Sequence, residues 1–547
     1  MRRIIHKTGI FFASAMLAFG SRCTAMGDEI QPQSLTVAVI DADTQRPLPC
    51  RVYVHGGDGT WHFVRSAAPD GSAIEYHKQN QANKNSIEMH TTVSAHPFAV
   101  DLPAGDYTLT IERAKEYFPH TQKVLIGAEP VSFTVSLRRW IDMASLGWYS
   151  GDTHVHRTLD ELPNVQLAED LNVSFPLTYW VTRAFTAPAA GDKNASRIAE
   201  PNLIAIDSTH VIYPVNTEYE IFSVGERQHT LGAVFILNHK TPFDLGAPPV
   251  GQIAQAARKQ GGLLELDKHN WPWSMMLPPV MGVDLYELAN NHLWRTEFAF
   301  TRFAEAPAEY MKVQTDEKGF TEKGWIQFGF ENYYALLNCG FWMRPTAGTA
   351  SGVHPVPLGF GRVYVKLEKG FSYEGWVEGL DKGRSFVTTG PMLMVTADGL
   401  EAGSILERQP AGEPVHICGT ALSPRPLKRI EIVVNGDVVK AIEPENTETK
   451  AGARISRIDE KIAIDGTSWI AVRCFQFDND RVRFAHTGWF RVNVQDRPLR
   501  PRKEQVAYLI ARVEAEIKRN EGILPDAVMQ EYAKALQAYR EAAKLAR

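Results

Sequence analysis

Two histidines separated by one residue, His154 and His156, carry the strongest chemical signal in this sequence. On a strand, residues two apart project from the same face, so the pair can offer two imidazoles to one ion. A hydrogen-bonded structural pair is the plainer alternative, and the surrounding residues must decide between them. Further histidines follow at 210, 229, 239, 269, 292 and 354. His210 and His292 read as surface or core residues. Asp152, just before the pair, could orient an imidazole or serve a turn. Imidazoles combined with a carboxylate suit Zn, Mn or Fe better than Ca or Mg.

The elements that would position these groups fall into several segments, which the spacing marks as residues 30–140, 141–396, 397–496 and 502–547. In the first, Leu35, Val37 and Val39 alternate, and a Pro/Gly turn at 103–105 feeds a strand with Tyr107, Leu109 and Ile111 on one face. Such period-two texture predicts a β-sandwich. Across 141–396, apolar runs such as 233–237 and 262–266 alternate with helix-like stretches such as 252–259, which argues for α/β. Residues 397–496 return to short strands around turns such as Asn435-Gly436, a second sandwich. The tail repeats Val506, Leu509, Val513 and Ile517, breaks at Gly522 and Pro525, and resumes with Val528, Tyr532, Leu536 and Tyr539. That spacing predicts a helical hairpin, packed on its own chain or serving as an oligomerisation arm.

The whole is therefore read as multidomain α/β plus all-β. A net charge of −5 over 547 residues, with no long basic run, argues against a nucleic-acid surface. Arg2, Arg3 and Lys7, an apolar run over 10–19 and small residues ending at Ala25 have the layout of a signal peptide spanning 1–26. The run is well short of the ~20 residues needed to cross a bilayer. Export to a periplasmic or extracellular space is the expectation, with no membrane span. Of the cysteines beyond the signal, Cys418 and Cys474 share a segment, and either a bridge or two free thiols fits them.

The segment Trp148-Tyr-Ser-Gly-Asp-Thr-His-Val-His-Arg157 resembles the opening motif of PHP-type metallohydrolases, and more closely the carbaryl hydrolase-like (CehA/McbA-like) branch. Glu218 in Asn216-Thr-Glu-Tyr-Glu220, with His229 after it, resembles the bridging glutamate and the histidine that follows it. Gly261-Gly-Leu-Leu-Glu-Leu-Asp-Lys-His269 resembles a strand ending in a metal-binding histidine. Leu285-Tyr-Glu-Leu-Ala-Asn290, Tyr334-Ala-Leu-Leu-Asn338, Gly361-Arg-Val-Tyr364 and Gly383-Arg-Ser-Phe-Val-Thr-Thr-Gly390 extend the likeness over roughly residues 145–395. Residues 41–54 and 102–111 resemble carboxypeptidase-regulatory-like sandwiches. Two motifs depart from the pattern: Thr178-Tyr-Trp180 stands where Thr-Asp-His is usual, and Ala347-Gly-Thr-Ala-Ser-Gly-Val-His354 lacks the usual Asp.

The resemblance implies a distorted (βα)7 barrel holding one or two divalent transition metal ions on His154, His156, Glu218, His229, His239, His269 and His354. It implies hydrolysis of a small ester, carbamate or phosphoester by a metal-activated water. Arg157 and Arg344 are the candidate catalytic residues, able to hold an anionic substrate group. Tyr179, Trp180, Trp271 and Trp273 give the strand ends an aromatic character suited to sugars or aryl groups. They sustain an alternative: a non-catalytic binding protein for a glycan or cell-surface polymer.

Overall fold

The computed structural model describes residues 32–191, 194, 198–302, 305–410, 412–478 and 481–547. The expected signal peptide, with Cys23, lies outside them. What is described is a mixed α/β molecule with many strands and few helices. Among the described residues no helix is long and apolar enough to cross a membrane.

The alternation of Leu35, Val37 and Val39 forms the Gln33–Asp41 strand, which buries every second residue. It runs parallel to Val131–Leu137 and antiparallel to Phe98–Leu102. A second sheet orders Ala73–Gln79, Ile87–Val93, Cys50–Gly56, Gly105–Glu112 and His120–Ile126. Val52, Val54, Leu109 and Ile111 of that sheet join Leu35 and Val37 in one apolar cluster.

The central strands divide between two sheets. In one, Trp148–Val155 lies between its parallel neighbour Val173–Pro176 and its antiparallel neighbour Arg362–Lys366. This sheet continues through Ser385–Thr388 into Arg481–Thr487 and Ser468–Asp478, so it spans the expected segment border at 396/397. The other orders Tyr179–Arg183, Thr217–Val224, Arg227–Leu237, Leu263–Leu266, Leu285–Ala289 and Arg344–Ala347. Among the described residues neither sheet closes into the expected (βα)7 barrel. At one connection Gly225, at φ 58°, turns Thr217–Val224 straight back into Arg227–Leu237 as an antiparallel hairpin, without a crossover helix. The loop that follows Arg344–Ala347, the edge strand of the second sheet, nevertheless reaches the histidine motif of the first. Ala350 N–H donates to the His154 carbonyl at 2.7 Å, and His156 N–H donates to the Ser351 carbonyl at 2.9 Å.

Helices start and stop where their sequences dictate. The Thr321 side chain caps Glu322–Asn338 by accepting from Gly324 N–H, and Ser372 caps Tyr373–Lys382, which ends on left-handed Gly383. Asn435 and Gly436 both take positive φ in the turn between Arg429–Val434 and Asp437–Ile442, as an Asn-Gly hairpin requires. Cys50, Cys339, Cys418 and Cys474 are free thiols; Cys474 is buried and Cys418 exposed, so these two form no bridge.

The tail forms two helices, Lys503–Asn520 and Asp526–Leu545. Their apolar stripes, including Leu509, Val513, Tyr532 and Tyr539, are buried in the central core of the same chain. Leu545 is their one exposed large apolar residue. That is the intrachain packing the spacing allows for.

Three histidines far apart in the fold are buried neutral. Burial pulls His90 and His239 down to about 4 and His486 to about 3. Unfolded, each returns to roughly 6.5, so the unfolded chain binds protons first and stability is lost as pH falls from 6.5 through these values. Each group contributes roughly 1.4 kcal/mol per pH unit below about pH 6, on the order of 4 kcal/mol per unit together. Carboxylates that burial raises, Glu116 to about 7 among them, gain stability over the same range, so the histidine effect is read by difference: His486→Gln should lose less of its melting temperature than the wild type between pH 7 and pH 4.5, and an equal loss would contradict this reading.

Candidate metal centre

The Trp148–Val155 strand is buried at every position and carries a register shift between Asp152 and Val155. Bulges of this kind bend a strand and re-aim its side chains. Here the Nε2 atoms of His154 and His156 come to 3.2 Å from each other. On the far side of His154, Nδ1 is 3.0 Å from Glu287 Oε2. A proton on Nδ1 donated to this carboxylate fixes the tautomer and leaves the Nε2 lone pair free. Glu218, from the Thr217–Val224 strand, places Oε2 at 3.3 Å from His156 Nε2. That oxygen is buried and has no hydrogen-bond partner.

Behind these three lies a surplus of buried acid. Asp267 Oδ1 is 3.9 Å from His154 Nδ1 and is itself buried without a hydrogen bond. Glu265 accepts from Thr153 Oγ1 at 2.8 Å and Thr346 Oγ1 at 2.5 Å. Burial, reinforced by neighbouring carboxylates, pushes Glu265 up to about 8, lifts Asp267, and holds Glu287 well above the usual range. Burial also raises Glu220 to about 7. Lys268 is the cation among them. Its ammonium contacts Asp267 and lies 3.2 Å from Glu220 Oε1 and 3.9 Å from Glu218 Oε1.

Two imidazole nitrogens and a carboxylate oxygen, converging with that oxygen unsatisfied, fit a divalent transition metal. His154, His156 and Glu218 place one ligand atom each within 4.8 Å of one another, as do His154, Asp267 and Glu287. The first grouping is the better donor set, because the second would use the His154 nitrogen that already faces Glu287. A cation here would also offset acid charge that burial otherwise leaves uncompensated.

Gly348 is the close-approach point of the site. A Cβ there would fall 2.3 Å from His154 Cβ and 2.8 Å from Glu287 Cδ. Gly348→Ala must push the imidazole off its carboxylate, and it is expected to weaken metal binding by about 10- to 100-fold, the usual effect of losing such an orienting contact. Titration with Zn²⁺ against a competing chelator checks it; unchanged affinity would contradict the orienting role of Glu287.

Other expected site residues lie elsewhere. His229 bonds Asn520 at 2.7 Å and faces Arg519, so it anchors the tail hairpin. His239 has both nitrogens engaged, with Thr217 Oγ1 at 2.8 Å and the Thr241 carbonyl at 2.9 Å. His269 joins neither grouping and packs against Trp325 and Phe328, with Asn290 at 3.2 Å from Nδ1. His354 packs with His292, Trp294 and Phe300. Neither His354 nor His292 joins a ligand grouping, although the charge of Lys268 helps burial depress both.

Arg157 is buried, lies 3.8 Å over the Tyr76 ring and donates from Nε to Ser351 Oγ at 3.2 Å. It ties the N-terminal sheet to the loop after the Arg344–Ala347 strand. Arg344 starts that strand and pairs with Asp284 and Asp381. Four residues of extended chain, roughly 13 Å, separate it from Gly348 at the site, too far for a substrate contact there. Asp152 accepts from Thr349 and from the N–H groups of His154 and Gly359, so it fastens a loop rather than an imidazole. Trp273 is fully buried and donates to Tyr532 Oη at 3.0 Å, a core residue. Trp180 and Trp271 remain half-exposed near the centre: the Trp180 ring lies 6.0 Å from that of His156, and Lys268 Nζ lies 5.1 Å over Trp271.

Glu265, Asp267 and Lys268 are not among the residues that the sequence marks as a site, and Glu287 enters there only as the Glu of the Leu285–Asn290 motif. The signal is there: Glu265 inside the apolar strand Leu263–Leu266, with Asp267 directly after its end, marks charge near a core, where it needs a partner.

No family model matches the chain, and neither does any curated protein. Among solved structures, the similar ones include a two-domain protein from Bacteroides vulgatus described as containing a predicted PHP-like metal-dependent phosphoesterase. It shares 10% identity over 63% of this chain and 94% of that one, with a TM-score of 0.28. A likeness that loose carries neither fold nor function.

Proposed function

We propose that this chain is an exported, metal-dependent hydrolase of a small ester, carbamate or phosphoester, of the PHP type and its CehA/McbA-like branch. The observation that carries the proposal is the convergence of His154 Nε2, His156 Nε2 and the unpartnered Glu218 Oε2, backed by Glu287 on His154. A divalent ion held there would polarise a substrate oxygen and acidify a water toward neutrality. The chain's own residues supply the rest. Glu287 fixes the His154 tautomer, Asp267 and Lys268 set the charge behind the ligands, and Trp180 and Trp271 form an aromatic rim for an aryl or sugar group.

Assay of the mature protein on aryl esters, aryl carbamates and phosphodiesters, before and after chelation and after refilling with Zn²⁺ or Mn²⁺, tests the reading. Activity that disappears with the chelator and returns with metal supports it; activity indifferent to both removes it. The half-exposed Trp180 and Trp271 favour a second reading, a non-catalytic glycan-binding protein, in which glycan binding survives chelation and falls on Trp271→Ala.

A further inference from the structure

We propose that Lys268 is a built-in cation that takes the place of a second metal ion, so that the centre holds a single divalent ion. This rests on the metal reading above and extends it. The two oxygens of Glu218 address two different positions: Oε2 faces His156 Nε2 at 3.3 Å, and Oε1 faces Lys268 Nζ at 3.9 Å. Asp267 is split in the same way, with Oδ2 on Lys268 and Oδ1 turned toward His154 without a hydrogen bond. Carboxylates that share themselves between two neighbouring cations are the arrangement of two-metal sites, where the ions stand about 3.5–4 Å apart. In this chain one of the two positions is filled by an ammonium.

The surroundings of that ammonium are a cation's. Asp267, Glu220 and Glu218 all turn oxygens to it, and Lys268 and these acids are almost wholly buried. The ammonium lies 6.0 Å from the Phe235 ring centre and 5.1 Å from that of Trp271, whose faces add cation–π attraction. An ammonium supplies one positive charge where a metal would supply two, and it has no open coordination position for a substrate oxygen. The consequence is a centre in which one ion does the chemistry and a fixed charge, immune to chelators, holds the bridging carboxylates in place. The position left when the lysine is shortened is lined by carboxylate oxygens, which suit Mn²⁺.

The test compares wild type with Lys268→Ala, each refilled with Mn²⁺, by elemental analysis and electron paramagnetic resonance. Wild type is expected to hold about one ion with an isolated Mn²⁺ spectrum, and the variant about two with the signature of a spin-coupled pair. A wild type with two ions, or a folded Lys268→Ala that stays at one, overturns the role given to Lys268 and leaves the metal site standing. A wild type with none overturns the metal site itself and this inference with it. Should Lys268→Ala fail to fold, Lys268→Ser is read by the same two outcomes, and the wild-type spectrum alone still decides between one ion and a coupled pair.

Discussion

Replacing His154 and His156 together by alanine will leave a folded chain that retains no stoichiometric transition metal and loses hydrolysis by at least about a thousandfold. Both histidines supply a nitrogen to the same point, 3.2 Å from each other, and no other imidazole joins the ligand grouping around them. Glu218 remains, but one carboxylate oxygen does not hold Zn²⁺ against a chelator when tetrahedral sites ordinarily use three or four protein ligands. Enzymes accelerate hydrolysis by roughly 10⁶-fold or more, and removing the ion that activates the water forfeits most of that. The fold should survive, because the substitutions relieve the burial of two polar rings and leave the strand's hydrogen bonds to Ala350 and Ser351, which are made by backbone atoms. Circular dichroism and a cooperative melt check folding; metal content and turnover check the site. A double variant that keeps its metal would contradict the assignment.

Shortening Tyr532 to alanine is expected to cost about 3–5 kcal/mol, and deleting residues 503–547 to abolish soluble folding. Tyr532 is fully buried and accepts the Trp273 indole N–H at 3.0 Å. Tyr539 donates to the Met275 carbonyl at 2.6 Å, and Arg512 donates to the Trp271 carbonyl at 3.0 Å. The hairpin therefore clamps the loop that runs on from Asp267 and Lys268. Loss of the clamp loosens the centre from outside, so the metal affinity of Tyr532→Ala should fall together with its stability. Urea titration measures the first effect and chelator competition the second; a stability change under 1 kcal/mol would show that the hairpin is an appendage.

How much of this was legible in the sequence depended on what each residue answers to. The Asn435-Gly436 turn, the Leu35–Val39 alternation and the two tail helices obey local rules of backbone conformation and periodicity, and the structure has them where the sequence put them. His154, His156 and Glu218 were legible because a spacing of two and the motifs around them pointed to all three, although the register shift after Asp152 that re-aims the strand is not visible in that spacing. His229, His239 and His269 misled because imidazole chemistry is ambiguous. The same ring that ligates a metal serves equally as a buried hydrogen-bonding group, and only tertiary partners such as Asn520 and Thr217 separate the two. The acids behind the site are harder to read because a buried acid is identified by its tertiary partners, although Glu265 inside the apolar strand Leu263–Leu266 and Asp267 just after it place charge where it is costly without one. No closed barrel is seen among the described residues, and one connection departs from a strand–helix repeat: at Gly225 a tight turn returns the chain antiparallel, which the spacing of apolar runs did not show.

The central claim is that this chain builds one transition-metal site on His154, His156 and Glu218. The most direct test is the metal content of the purified mature protein after reconstitution and desalting, by inductively coupled plasma mass spectrometry. About one Zn, Mn or Fe per chain is the predicted result, as a two-imidazole, one-carboxylate site requires. A chain that holds no metal after reconstitution would contradict the account.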